Sequence, residues 1–251
     1  VIDFYGIIVG VACLLPLLLF SFKERFIYFA TAAIIAIGLH GTYLFGPHIL
    51  YLLLITYIVS TVIELVALKT SVRCFGVKYW YNLNRFSSQI HFLNVYPLEV
   101  SLGWVILKYL SFCLAIIIIQ AFLLPHVLVI FLTPFILVSL DFIIDPIAVN
   151  INKSWQWEKG SKYFGIPLRD FLGWYTVGFL TTLIFALLVS ERKVEFNLLY
   201  LLPIVFYGAF IKNSIVMFKL DKKMAIIGTI PAVTWTLLAL AGLVILLLQG
   251  T

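Results

Sequence analysis

The feature that most constrains this chain is the recurrence of apolar runs about 20 residues long, separated by short charged or turn-rich stretches. A helical run of that length matches the hydrocarbon thickness of a bilayer. Eight such runs stand at 4–22, 26–46, 48–68, 97–120, 125–145, 168–189, 197–217 and 224–248 of the 251 residues. Hydrophobic residues make up 63% of the chain and charged residues only 11%, against roughly a quarter charged in a soluble domain. A water-facing surface cannot be built from that composition, so lipid must be the solvent. The expected fold class is all-α: a polytopic membrane helical bundle of about eight transmembrane helices, forming one integral membrane domain over 1–251. Pro97, Pro125 and Pro167 stand where helices should begin, which suits a residue without a backbone N–H. The first run lacks a basic leader and a small-residue cleavage site, and Lys23-Glu24-Arg25 follows it. It reads as the first span, not as a cleaved signal.

Basic residues mark the sides of the membrane. Lys23 and Arg25 follow span 1. Lys69, Arg73, Lys78 and Arg85 follow span 3, and Lys153, Lys159, Lys162 and Arg169 follow span 5. Lys212, Lys219, Lys222 and Lys223 flank the last turn. These fourteen fall on one side, only Arg192 and Lys193 fall on the other, and Lys108 lies inside span 4. Such asymmetry predicts that both termini are outside and that the long loops 69–96 and 146–167 are cytoplasmic, in a cell membrane. The net charge of +6 is accounted for by those loops and gives no reason to expect a nucleic-acid partner.

An internal echo accompanies this topology. Pro97-Leu98-Glu99-Val100-Ser101-Leu102-Gly103-Trp104 matches Pro167-Leu168-Arg169-Asp170-Phe171-Leu172-Gly173-Trp174 at five of eight positions. Each copy opens a helix leaving the cytoplasmic face. Each also follows an aromatic loop with a Phe-Gly pair: Phe75-Gly76 with Tyr79-Trp80-Tyr81, then Trp155-Gln156-Trp157 with Tyr163-Phe164-Gly165. The pattern points to a parallel duplication of span–loop–span, with units 48–120 and 125–189.

Candidate chemistry sits on carboxylates at span ends. Glu64, Glu99, Asp141, Asp145 and Asp170 all fall in the cytoplasmic half, where ionisable residues are costly and tend to face the bundle interior. Asp141 and Asp145 are four apart and share a face if the helix persists. Pro146 disfavours helical conformation at Asp145, which places Asp145 at a helix end with Asp141 one turn deeper. Two carboxyls in one dry site should not both be ionised, leaving an acid able to donate beside a base. The plainer alternative is that these acids cap helices or pair with Lys108, Arg169 and Lys162. Membrane-interface aromatics are ordinary, but Trp155, Trp157, Tyr163 and Phe164 crowd one short loop beside the acids. Their faces could hold a polyene and stabilise a cation.

Several chemistries find no support. The cysteines Cys13, Cys74 and Cys113 form no CxxC pair and point to neither a disulfide framework nor a zinc site. Four histidines (His40, His48, His91 and His126) are too few for a histidine-rich di-iron centre. No GxGxxG, P-loop, GxSxG or HExxH motif occurs.

Taken together, Glu64, Phe75-Gly76, Tyr79-Trp80-Tyr81, Pro97, Trp104, Asp141-x-x-x-Asp145-Pro146, Trp155-x-Trp157, and Tyr163-Phe164-Gly165-Ile166-Pro167 through Phe171-Leu172-Gly173-Trp174 resemble the membrane carotenoid-biosynthesis hydratases. That family includes the bisanhydrobacterioruberin hydratases of archaea and the γ-carotene hydratases of bacteria. The resemblance covers roughly 60–180, and WxW…YFGxP…FLGW is its most specific part. The chain departs from the pattern at Asp170, where the family tends to carry Asn, and at Ser71, where Gly is expected.

The resemblance implies addition of water to the terminal isopropylidene double bond of an acyclic carotenoid, a hydro-lyase chemistry with no cofactor and no metal. Protonation of the less substituted carbon leaves a tertiary cation, which water captures as a tertiary alcohol. Asp141 is the expected acid and Asp145 its partner, with Glu64 the main rival and Asp170 a further proton donor. Trp155, Trp157, Tyr163, Phe164, Trp174, Trp104 and Tyr81 are the expected substrate-binding residues. The expected partners are the carotenoid itself, membrane lipid and other carotenoid-pathway enzymes. From a different class, a small transporter or isoprenoid carrier would use the same carboxylates for proton coupling. The gathering of acids at one face, and the lack of a span broken by paired Gly and Pro, favour the enzyme.

Overall fold

A chain in lipid must close its backbone hydrogen bonds within each crossing segment, and among the described residues each of the eight apolar runs does so as helix. The computed structural model describes residues 3–19, 26–72, 76–189 and 197–249. Lys23, Glu24, Arg25, Arg73, Cys74, Phe75, Arg192 and Lys193 lie outside the described residues. The helices are α1 (Phe4–Leu19), α2 (Phe26–Phe45), α3 (Ile49–Lys69), α4 (Leu98–Ala121), α5 (Val129–Ile147), α6 (Leu168–Leu188), α7 (Leu201–Ala209), α8 (Ser214–Leu220) and α9 (Lys222–Gln249). The pair α7–α8 forms one crossing, Leu198–Leu220, interrupted by a 3-10 turn at Phe210–Asn213. Among the described residues seven segments are long and apolar enough to span, with α1 as a shorter apolar eighth. The protein is a multi-pass helical membrane protein.

Helix α4 is the axis of the bundle. In its apolar stretch 89% of residues are buried, against 50% or less in the other six spans. It packs on α2, α3, α5, α7 and α9, while α6 closes against both α3 and α5. Small residues set the closest approaches, as expected where lipid supplies no hydrophobic drive between helices. A Cβ on Gly178 of α6 would lie 2.9 Å from Pro134 of α5, and one on Gly242 of α9 would lie 3.0 Å from Ala121 of α4. Lys108, fully buried in α4, donates at 2.5 Å to both Gly178 O and Thr182 Oγ1 of α6.

The prolines act largely as expected. Pro97 and Pro167 stand in extended conformation immediately before α4 and α6, and Pro125 precedes the 3-10 turn His126–Leu128 that leads into α5. Pro146 is different. The sequence places Asp145 at a helix end, but α5 runs on through Pro146 to Ile147 and then into a π turn at Ala148–Asn152. Proline lacks the N–H that would have bonded to the carbonyl four residues earlier, Phe142 O. The Tyr163 hydroxyl fills that place, donating to Phe142 O at 2.7 Å. The freed carbonyl is thus satisfied from outside the helix, and Asp141 and Asp145 remain one turn apart on a continuous helix.

The two long loops meet in a short antiparallel ribbon. Strand β1 (Tyr79–Tyr81) pairs with β4 (Trp155–Trp157) in the register Tyr79↔Trp157, Trp80↔Gln156 and Tyr81↔Trp155. Strands β2 (His91–Phe92) and β3 (Tyr96–Pro97) form a second pair beside the start of α4. Side chains alternate across a strand, so Tyr79, Tyr81, Trp155 and Trp157 share one face of the first ribbon.

The Tyr163 hydroxyl also fills the space in front of Gly228 of α9. A Cβ on Gly228 would lie 2.0 Å from it and 3.1 Å from Phe142 O. Tyr163→Phe should cost about 1–3 kcal/mol by leaving a buried carbonyl unpaired, read as a lower unfolding temperature in detergent. Gly228→Ala should destabilise the wild-type background and do so less in the Tyr163→Phe background, where the hydroxyl is gone. Equal effects of Gly228→Ala in both backgrounds would contradict this packing.

Candidate functional site

The inward face of the β1–β4 ribbon forms one wall of a cavity of about 150 Å³ at the end of the bundle. Its other walls come from α2, α3, α4, α5 and α6, through Phe29, Glu64, Trp104, Ile144, Asp145, Asp170 and Trp174 among others. Two aromatic assemblies shape it. Across the ribbon, Tyr79 and Trp157 have ring centroids 4.8 Å apart, and Tyr81 and Trp155 5.8 Å. Between the helices, Trp104 and Trp174 stack at 3.9 Å with their planes 24° apart. These two tryptophans are the last residues of the two echoed Pro-Leu…Gly-Trp segments. Gly103, next to Trp104, opens the space: a Cβ there would meet nothing within 4 Å.

Glu64 sits near the end of α3, fully enclosed. Its Oε2 accepts from the Tyr79 and Tyr81 hydroxyls, the latter at 3.1 Å, and its Oε1 accepts from Trp104 Nε1 at 3.1 Å. Burial first, and then the Glu64 charge, push both tyrosine hydroxyls well above the usual phenol range. Both therefore stay protonated and able to donate.

The aspartates are arranged in the opposite manner. Asp141, Asp145 and Asp170 are all buried, and one oxygen from each lies within 4.8 Å of the others. Both oxygens of Asp141, and one each of Asp145 and Asp170, receive no hydrogen-bond donor. Trp155 stands beside Asp145 and Asp170 on the cavity wall. Ionised carboxylates only accept hydrogen bonds and repel one another, so three of them this close in a buried site retain protons. The same spacing would suit a small divalent cation. Asp145 and Asp170 reach the cavity wall, whereas Asp141 lies behind them.

Of the residues singled out from the sequence, Glu64, Asp145, Asp170, Tyr81, Trp104, Trp155, Trp157 and Trp174 line this one cavity. Tyr163 and Phe164 do not. Tyr163 packs with Val138, Ile166 and Phe171 and spends its hydroxyl on the α5 carbonyl. Phe164 is a left-handed residue at φ 48°, and its carbonyl accepts from Asn150 Nδ2 at 3.0 Å. Lys108, named as a partner for the acids, donates to α6 instead. Glu99 lines the cavity but is tied to a neighbouring loop: Ser88 N and Ser88 Oγ donate to it at 2.5 and 2.6 Å, and Ser87 Oγ at 3.2 Å. Sequence reasoning missed Tyr79, Phe26, Phe29 and Phe86 as wall residues. For Tyr79 the signal was present in the Tyr-x-Tyr alternation, which is strand-like. For the phenylalanines nothing distinguished them from lipid-facing residues.

Comparison with known proteins agrees with this reading at the level of the pathway. No curated protein and no solved structure matches the chain. A family model described as carotenoid biosynthesis protein matches residues 25–244, from the start of α2 nearly to the end of α9. The match includes every wall of the cavity and carries a role in carotenoid biosynthesis. The chain belongs to the carotenoid biosynthesis protein family.

Proposed function

We propose that this protein is a carotenoid hydratase that adds water to the terminal isopropylidene double bond of an acyclic carotenoid. The observation that carries the proposal is one apolar, aromatic-walled cavity onto which both a buried aspartate cluster and a separately held glutamate open. Hydration of an unactivated alkene needs these elements. A carboxylic acid protonates the less substituted alkene carbon, and the electron pair of the double bond forms the new C–H bond. The tertiary cation left on the neighbouring carbon is stabilised by aromatic faces, each worth about 0.5–2 kcal/mol. Water adds to the cation, and a second carboxylate takes the surplus proton. Atoms and charge balance with water as the only co-reactant, so the reaction asks for no redox cofactor.

The cavity also limits what can enter. A space of about 150 Å³ holds a molecule about the size of benzene. It takes the end group of a carotenoid and leaves the long polyene outside, so the enzyme works on one end at a time. On the charge asymmetry of the loops, the cavity faces the cytoplasm and both termini lie outside. A reporter fused after residue 251 that is active only on the outer side of the membrane should be active. Activity of a cytoplasmic reporter there would reverse the orientation.

Two experiments bear on the reaction. Expression in cells that accumulate lycopene should yield a more polar pigment, heavier by one water per modified end, by liquid chromatography and mass spectrometry. Asp145→Asn should lower its formation by about 100-fold or more, within the range for loss of a general acid. An unchanged pigment profile with folded protein in the membrane, over several acyclic carotenoids, would favour an isoprenoid carrier. Gly103→Leu should fill the cavity without disturbing its walls, because nothing stands within 4 Å of the new Cβ. Product formation should stop while the unfolding temperature holds or rises, since glycine inside a helix is itself unfavourable. Full activity in Gly103→Leu would place the reaction elsewhere.

A further inference from the structure

The carboxyls at the cavity fall into two chemically different groups. Glu64 accepts three hydrogen bonds, from Tyr79, Tyr81 and Trp104. Indole N–H is a donor only, and both hydroxyls are turned toward the carboxylate. That environment fits an ionised acceptor. The aspartates are gathered within 4.8 Å of one another and leave four oxygens without a donor. That environment fits a store of protons. Glu64, Asp145 and Asp170 line one cavity, so both groups address the same space. Trp157 lines the same cavity; its indole N–H is buried and has no acceptor, and its ring lies against Tyr79. An unpaired buried donor is costly, and an oxygen entering the cavity is the natural acceptor.

Building on the hydratase reading above, we infer that the two halves of the water addition are divided: the aspartate cluster protonates the alkene, and Glu64 is the base that takes the proton from water held on the Trp157 N–H. Asp145 and Asp170 face the cavity and deliver the proton, with Asp141 behind them as its reserve. Delivery forms the C–H bond and leaves one more negative charge in the cluster. The water oxygen then forms the C–O bond to the tertiary cation, and its proton passes to Glu64. Transfer of that proton from Glu64 back to the cluster resets the site, with no net change beyond alkene plus water giving the tertiary alcohol. Tyr79, Tyr81 and Trp104 are positioning residues, which act by holding Glu64. Glu99, also on the wall, is held by Ser87 and Ser88 and serves the loop.

The division is testable in deuterium oxide, because protonation can reverse. A cation that fails to capture water loses a proton and returns as alkene carrying deuterium. Membranes containing the full chain would be incubated with lycopene in deuterium oxide, and both the hydrated product and the recovered lycopene examined by mass spectrometry. In Glu64→Gln, hydration should fall by about 100-fold or more while deuterium still enters recovered lycopene. Asp145→Asn and Asp170→Asn should lose hydration and exchange together. Trp157→Phe and Tyr79→Phe should each raise the ratio of exchange to hydration by about tenfold, the equivalent of one lost hydrogen bond. That ratio is taken within a single sample, so it is insensitive to how much protein folds, and it serves if Glu64→Gln proves unstable. Glu64→Asp should recover part of the hydration. Loss of exchange in folded Glu64→Gln, retention of exchange in both aspartate variants, or an exchange-only phenotype in Glu99→Gln would each overturn the division. Wild-type protein giving neither product nor exchange would instead remove the hydratase reading itself.

Discussion

One hydrogen bond holds the acidic centre together. Pro146, in the last turn of α5, removes the N–H that the carbonyl four residues earlier, Phe142 O, would have used. A helix that loses such a bond inside a protein interior usually kinks or stops. Here the Tyr163 hydroxyl, carried by the following loop, supplies the missing donor at 2.7 Å. Because of it, Asp141 and Asp145 stay on one helical face, Asp170 can meet them from α6, and the loop that ends in Pro167 is anchored to the bundle. Gly228 of α9 is without a side chain because this hydroxyl occupies the space. The proline, the tyrosine and the glycine act as one device, although the chain brings them from three separate segments.

The second dependence is on α4. A helix buried nearly all round can present polar side chains only where another element satisfies them. Trp104 gives its N–H to Glu64 of α3 and its face to Trp174 of α6. One turn on, Lys108 gives its protons to Gly178 and Thr182 of α6. Through these two residues the axial helix ties α3 and α6 together around the cavity. Stacked indoles contribute both packing and an electron-rich wall, so the same contact serves the fold and suits a site that must tolerate positive charge.

The ribbon shows how a loop becomes a wall. Three residues from each long loop pair antiparallel, and their alternation turns four large aromatics toward the cavity while Trp80 and Gln156 face away. A two-stranded ribbon is marginal in water. This one is stable because its inner face is pinned by Glu64, which accepts from Tyr79 and Tyr81. The polar groups that make the site chemical are the same groups that hold its lid of aromatics in place.

The eight apolar helices were legible in the chain alone, since runs of about 20 residues leave lipid as their only possible solvent. So was the gathering of the acids and tryptophans at one end of the spans, because their positions along each helix are read directly from the chain. The Trp104 and Trp174 pair and Asp145 beside Pro146 were legible as motifs. Which of these residues share a space depends on how distant helices and loops pack. Helix ends alone do not say that Asp141 stands behind Asp145, that Tyr163 is spent on a carbonyl, or that Lys108 points to α6 and not to an acid. Glu64 and the aspartates look alike in sequence, each being a carboxyl near a span end. They differ in the donors that distant segments bring to them, and an acidic side chain's chemistry in a dry site is set by those neighbours.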